Sequence, residues 1–371
     1  MRLHFIIFFV FCYCGDFFAQ FDNSSLYNNE SIDTTEEKRL FLKVQNLNYM
    51  KNNEYVGVMA DGFTLFGFQL NPQLGYQLSK NFSIEAGIFL MKDFGNNNFT
   101  TIAPTFSLRY QKKNFKMIFG NINGSLNHGL IEPLYNFERL ITNRLENGAQ
   151  FIVNKKYFDV DAWIDWQKAT YPRANNREQL WAGANLNIFK LKLNQLEFSI
   201  PLQGTIDHRG GQIDTSKEKV YVNVNYSAGL ALKYKFKTGK VQSIYADAHF
   251  VADNRSLFDS VVFRSYGNGI FTNAGVTAFN TNLIFTYWFG NNYLNDFGGH
   301  LYSSESSSVH FAGTNQRYRS LVIMRITKTL TLAPNVFLTL RAEPYYDILQ
   351  NLLEYSFGFY INFDQKFWFK K

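Results

Sequence analysis

Apolar and polar side chains alternate with a period of two along most of this chain. Residues 159–166, DVDAWIDW, set Val160, Ala162, Ile164 and Trp166 against Asp159, Asp161, Trp163 and Asp165. In 82–90, Phe82, Ile84, Ala86, Ile88 and Leu90 oppose Ser83, Glu85 and Gly87. The longest run, 220–234, opposes Val220, Val222, Val224, Tyr226, Ala228, Leu230, Leu232 and Tyr234 to Tyr221, Asn223, Asn225, Ser227, Gly229, Ala231 and Lys233. Period two is the strand period, because successive side chains on a strand point to opposite faces.

The pattern predicts about sixteen strands, with fourteen and eighteen as the bounds. They fall at 39–50, 63–77, 82–93, 100–111, 115–122, 148–154, 157–167, 179–191, 195–207, 219–236, 240–252, 269–279, 283–291, 317–328, 336–346 and 355–369. The connectors alternate in length as well. Short ones lie at 78–81, 112–114, 154–156, 193–194, 237–240 and 280–282, and long ones at 122–147, 168–178, 208–218, 253–268 and 291–316; 328–335 is intermediate. Short turns on one side and long loops on the other are the rhythm of an outer-membrane barrel, and an even strand count puts both termini on the periplasmic side. A soluble propeller or sandwich predicts repeated blades or a Greek-key rhythm, and the chain shows no self-similar period. The expected fold is all-β: a transmembrane, antiparallel, up-and-down β-barrel with a short helix in one long surface loop. Lipid then faces Val160, Ala162, Ile164 and Trp166, and the aspartates face an aqueous interior.

Composition strengthens this picture. Of 371 residues, 39 are Phe and 22 Tyr, so aromatic content matches charged content at 18% each, which suits strands and lipid-interface girdles. Residues 1–19 read as a cleaved signal peptide: Arg2 is the basic start, 5–14 (FIIFFVFCYC) the apolar stretch and Ala19 the last residue before the cut. Residues 20–38 are expected to be a periplasmic N-terminal segment, and 39–371 the barrel. Both cysteines, Cys12 and Cys14, lie in the signal, so the mature chain has neither a disulfide framework nor a thiolate metal site. Phe11 and Tyr13, bulky residues before each cysteine, argue against lipid attachment there. No later run of about 18 apolar residues marks a spanning helix. The net charge of +7 is spread along the chain and points to no nucleic-acid partner.

Three stretches, NNEYVGVMADGFTLFGFQLNPQLGYQ (52–77), GNINGSLNHGLIEPLYNFERLITNRLENGAQF (120–151) and HRGGQID (208–214), resemble the Bacteroidetes-type outer-membrane β-barrel proteins, most of them without assigned function. The resemblance implies a place in the cell outer membrane of a Gram-negative cell and carries over no catalytic or ligand residue. The aromatic last strand, ending FWFKK, looks like the signal read by barrel-assembly machinery. Expected partners are outer-membrane lipid, that machinery and an outer-membrane protein.

If the register holds, Glu85, Arg109, Asp159, Asp161, Asp165, Glu197, Asp207, Lys233, Asp247, His249, Arg341 and Glu343 face the lumen. Both signs are present, so these charges either bias passage through a polar conduit or pair and rigidify the barrel. In loop 122–147, Leu130, Leu134, Phe137, Ile141 and Leu145 recur at helical spacing after Pro133, with Asn136, Glu138, Arg139, Asn143 and Arg144 on the other face. Such a loop, with Glu138, Arg139 and Arg144 as candidates, either folds inward as a constriction or caps the barrel from outside.

Metal and catalytic chemistry find less support. Asp161 and Asp165 would stand roughly 13 Å apart on a strand, so one ion cannot take all three aspartates, and pairing with Arg109, Lys233 or Arg341 is expected instead. The mature histidines, His128, His208, His249, His300 and His310, join no readable nucleophile motif, although Asp247 and His249 share a face. The sequence therefore predicts no enzyme, no cofactor and no metal. It predicts a porin-like channel for small hydrophilic solutes, or a non-conducting subunit or docking scaffold whose apolar surface comes from Tyr293, Leu294, Phe297, Leu301 and Tyr302.

Overall fold

In the computed structural model, residues 23–27, 31–258 and 263–370 are described, and the expected signal peptide lies outside them. Sixteen strands follow one another: β1 Arg39–Glu54, β2 Thr64–Ser79, β3 Phe82–Asp93, β4 Thr101–Lys112, β5 Phe115–Asn121, β6 Asn147–Asn154, β7 Asp159–Lys168 and β8 Glu178–Leu193 form one half. β9 Leu196–Gly210, β10 Val220–Lys235, β11 Val241–Phe258, β12 Phe263–Ala278, β13 Thr281–Asn291, β14 Tyr318–Ala333, β15 Val336–Asp347 and β16 Leu352–Trp368 form the other. Each strand pairs antiparallel with its neighbours in sequence, and β1 pairs with β16 to close the ring. Closure leaves no open edge, the condition for a sheet to stand in hydrocarbon.

The two faces divide as the alternation requires. On β10, Asn223, Asn225 and Ser227 are buried inside while Val224, Tyr226, Leu230 and Leu232 are exposed outside. On β7, Asp165 and Trp163 are buried inward and Trp166 is exposed outward. A protein with polar groups inside and large apolar side chains outside is a barrel in lipid.

Boundaries differ from expectation where strands run longer than the alternation alone marks. β11 and β12 extend through most of the expected loop 253–268, and β14 runs to Ala333, so 328–335 shrinks to a tight turn at Pro334–Asn335. Asn194, Asn280 and Asn335 take φ of 56°, 57° and 59° at such turns. Asparagine tolerates that left-handed conformation better than most residues.

The interior is filled by its own loops. The 122–147 loop folds inward, and the expected helix reduces to a 3-10 turn, Ser125–His128, and one α turn, Arg139–Thr142. The reason is competition for the backbone. Gln69 Nε2 donates to the Ile141 carbonyl at 2.7 Å, Gln203 Oε1 accepts the Ile131 N–H at 2.9 Å, and the Asn136 N–H reaches the Phe297 carbonyl at 2.7 Å. Leu134 and Ile141 of the helical-spacing set serve as anchors instead, with Leu140 beside them: all three are fully buried, each contributing about 1.5–3 kcal/mol. The 292–317 loop also turns inward. Tyr293, Leu294, Phe297 and Tyr302, expected to supply an exposed docking surface, are buried. Tyr293 and Tyr302 join Ile131, Leu134 and the strand residues Trp288 and Leu321 in one lumenal apolar cluster, and Phe297 joins Trp163 and Trp181 in another. From the other end, Ser24–Leu26 enters the barrel: Ser25 Oγ lies 2.8 Å from Thr339 Oγ1, and Leu26 packs with Leu47 and Tyr360.

Candidate active-site cavity

The inward charges predicted from sequence all stand on the lumen side, and most are paired. Glu85 accepts from Arg109 Nε at 3.2 Å with Lys43 Nζ 3.7 Å away, and Arg109 also donates to Asn123. Glu197 meets Lys235 Nζ at 2.9 Å and stands in register with Lys233. Asp207 binds Arg209 at 2.7 Å. The aspartates of β7 do not pair with Arg109, Lys233 or Arg341 as expected. Asp159 pairs with Lys190, Asp161 meets His128 Nδ1 at 2.8 Å, and Asp165 accepts the Asn147 N–H at 2.7 Å. The inward loop brings partners that no strand-only register could supply.

That loop builds one enclosed cluster. His128 Nε2 lies 2.8 Å from Glu146 and its Nδ1 2.8 Å from Asp161, while Tyr135 donates to Glu146 at 3.1 Å. Burial alone would lower the imidazole pKa, but the two carboxylates outweigh it and raise it to about 9. Both ring nitrogens are engaged, so His128 binds the loop to β7 and has no free site for a proton from substrate.

A second cluster has the composition of a hydrolytic triad. Ser227 Oγ on β10 is 3.0 Å from His249 Nδ1 on β11, and His249 Nε2 is 3.4 Å from Asp247. The imidazole lies over Gly229, where an added Cβ would come within 2.5 Å of it. The shared face of Asp247 and His249 is legible in the sequence, but Ser227 is not, because its contact is cross-strand. All three are at most 4% exposed, and none lines the cavity described next.

The third arrangement is open to solvent. A cavity of about 330 Å³ lies between the inward loops and the wall of β1, β14 and β15. Its mouth carries Asp61, Phe63 and the exposed Val309 of the outer loops, and its floor holds Arg325, Arg341 and Glu343. Loop 55–63 is tied over it: Ser306 Oγ donates to the Val58 carbonyl at 2.6 Å, and Asp61 accepts from Ser308 Oγ at 2.6 Å and the Val309 N–H at 2.7 Å.

Three cations and four carboxylates line this space. Glu132 of the inward loop bridges Arg325 and Arg341, which Glu343 joins from β15. Glu138, one of the loop candidates, accepts from Lys51 Nζ at 2.6 Å and Asn53 Nδ2 at 2.7 Å. Burial raises the Glu138 carboxyl, but Lys51 outweighs it and the net shift is downward. The other two loop candidates are placed apart from it. Arg139 stacks on Phe297, 4.4 Å from the ring centre, and Arg144 donates to Gln69 Oε1 at 3.1 Å.

His300 completes the cavity wall and remains solvent-accessible. Enclosure by protein lowers its pKa; Glu138 opposes this, and Arg139 and Lys51 reinforce it, so the ring is neutral near pH 7. In the sequence His300 joins no readable motif. Its only signal was indirect: both long loops carry apolar sets that could bury each other, and that packing brings Glu138 and His300 to one cavity.

A family model described as "Lipid A 3'-O-deacylase-type" matches residues 32–371. No curated protein matches the chain. Among solved structures, a loop L8 deletion mutant of OmpT, an outer membrane protein of Vibrio cholerae, is similar at TM-score 0.51 and 12% identity, covering 88% of this chain and 99% of that one. In-vitro folded OmpT of Vibrio cholerae in its trimer form is similar at TM-score 0.51 and 9% identity, covering 89% of this chain and 100% of that one. These likenesses are of fold. The family match overturns the expectation that the chain is not an enzyme, and gives the resemblance an activity where the sequence implied none. The expectation failed because the candidate groups come from separate loops and strands and form no local motif.

Proposed function

Because the chain belongs to the lipid A 3'-O-deacylase-type family, we propose that it hydrolyses an acyl ester of an outer-membrane glycolipid in the cavity beneath loop 55–63, with His300 as general base. The observation that carries this reading is the neutral, solvent-accessible His300 in a charged cavity that opens to the outer face. A general base must be unprotonated and must reach its proton; His300 meets both conditions, whereas His128 is engaged at both ring nitrogens and His249 is enclosed.

In this mechanism His300 takes a proton from a water molecule, and the oxygen adds to the ester carbonyl. The tetrahedral adduct collapses with loss of the sugar alkoxide, which recovers the proton from the imidazolium, leaving a fatty acid and a free hydroxyl. Lys51, Arg325 and Arg341, each held in place by a carboxylate, supply N–H donors toward the oxyanion, while Glu138 stabilises the imidazolium. Tyr55, Phe63, Phe137, Tyr302 and Tyr345 offer aromatic walls to a sugar ring. The porin-like alternative draws on the polar inward face, but the apolar clusters and the Ser24–Leu26 segment inside the barrel weigh against a wide conduit.

The test is mass spectrometry of purified lipid A after incubation with the folded protein. The expected product has lost one acyl chain, and H300A abolishes its formation while S227A leaves it unchanged. Loss of activity in S227A with H300A active would move the chemistry to the enclosed cluster on β10 and β11. A folded wild type that leaves lipid A intact would sink the proposal.

A further inference from the structure

The outward row of β1 differs from the rows beside it. β2 presents Phe66, Phe68 and Leu70 to lipid, and β16 presents Phe359, Ile361 and Phe363. Between them β1 presents Asn46 and Asn48, the eighth and tenth of its sixteen residues, and so near the middle of the span. Their inward neighbours Leu47 and Tyr49 are fully buried, which puts both amides on the lipid side. In register, Asn46 is flanked by Leu70 and Phe363, and Asn48 by Phe68 and Ile361.

Hydrocarbon offers these amides no hydrogen bonds, so polar groups at this depth seek protein partners. Part of their capacity is met within the chain. Asn46 Nδ2 donates to the Gln69 carbonyl at 2.8 Å, and Asn48 Nδ2 donates to Asn46 Oδ1. Among the described residues nothing donates to Asn48 Oδ1.

We infer that Asn46 and Asn48 form the contact with a second copy of this chain, β1 against β1, about a two-fold axis along the membrane normal. A carboxamide carries donor and acceptor on one group, so it is complementary to itself, and a two-fold axis places each residue opposite its own copy. The row bears no charge at this depth and so calls for no charged partner. The apolar neighbours on β2 and β16 would pack around the amide pair as an interface core.

Residues 20–371 contain no cysteine, so N48C introduces a unique thiol into the mature chain. The experiment oxidises N48C in bilayers and resolves the products by mass, with L230C, outward on β10 across the barrel, as control. Cross-linked dimers from N48C and not from L230C are expected. Monomers only, equal cross-linking from both sites, or a product containing a different protein would overturn the inference. Native mass spectrometry of the double variant N46L/N48L, which keeps the lipid face apolar, should show a folded monomer; a persistent dimer would overturn it equally.

Discussion

The imidazole of His128 lies flat against the indole of Trp163, with ring centres 3.6 Å apart and planes 15° from parallel. Trp163 in turn lies over Gly183 of β8, where a Cβ would come within 2.5 Å of the indole. The stack, with Glu146 and Asp161 on the ring nitrogens, anchors the inward loop to the wall.

The anchor makes stability depend on pH. The folded-state pKa of His128 is raised from 6.5 to about 9. Its contribution is fully present below pH 6.5 and is lost as pH rises through about 9, a change of about 3 kcal/mol. Urea unfolding of the detergent-folded barrel at pH 6 and pH 10 measures it, and H128A should flatten the difference. The same variant leaves the buried Glu146 and the half-buried Asp161 without their cation and should cost about 3–5 kcal/mol at pH 6.

Hydrolysis should have its own pH profile. In the proposed mechanism His300 acts only when neutral, and its pKa is lowered from 6.5. Activity should therefore rise with pH and reach half its plateau on the acid side of 6.5. A midpoint above pH 7 would exclude His300 as the base.

Glu132 supports two arginines at once. E132Q leaves Arg325 and Arg341 with Glu343 as their shared carboxylate, and should destabilise the fold by about 3–5 kcal/mol. The variant should also free loop 122–147, read as faster proteolytic cleavage within it. Unchanged cleavage and stability would show that the loop is held by its apolar anchors alone.

The filled lumen predicts little conductance. In planar bilayers the folded wild type should show small or no steps, and deletion of 129–146 should produce large ones, because that loop carries Leu134, Leu140 and Ile141 into the barrel. Equal conductance before and after deletion would contradict the plug.

The sequence by itself determined the barrel. A strand in lipid must turn one face to hydrocarbon and one inward, so Val160, Ala162, Ile164 and Trp166 were separable from Asp159, Asp161 and Asp165 by parity alone. Loop length then ordered the strands, because antiparallel neighbours need only short turns on one side. Parity says which face a residue takes and nothing about what it meets there. Asp161 meets His128 from a loop 33 positions away, Ser227 meets His249 across two strands, and Glu138 shares a cavity with a histidine more than 160 residues later. The helical spacing in 122–147 misled because the lumen wall offers its backbone other partners and its apolar residues other neighbours. Only tertiary structure decided the candidate site, since closing a sheet into a ring brings together residues that no local period can relate.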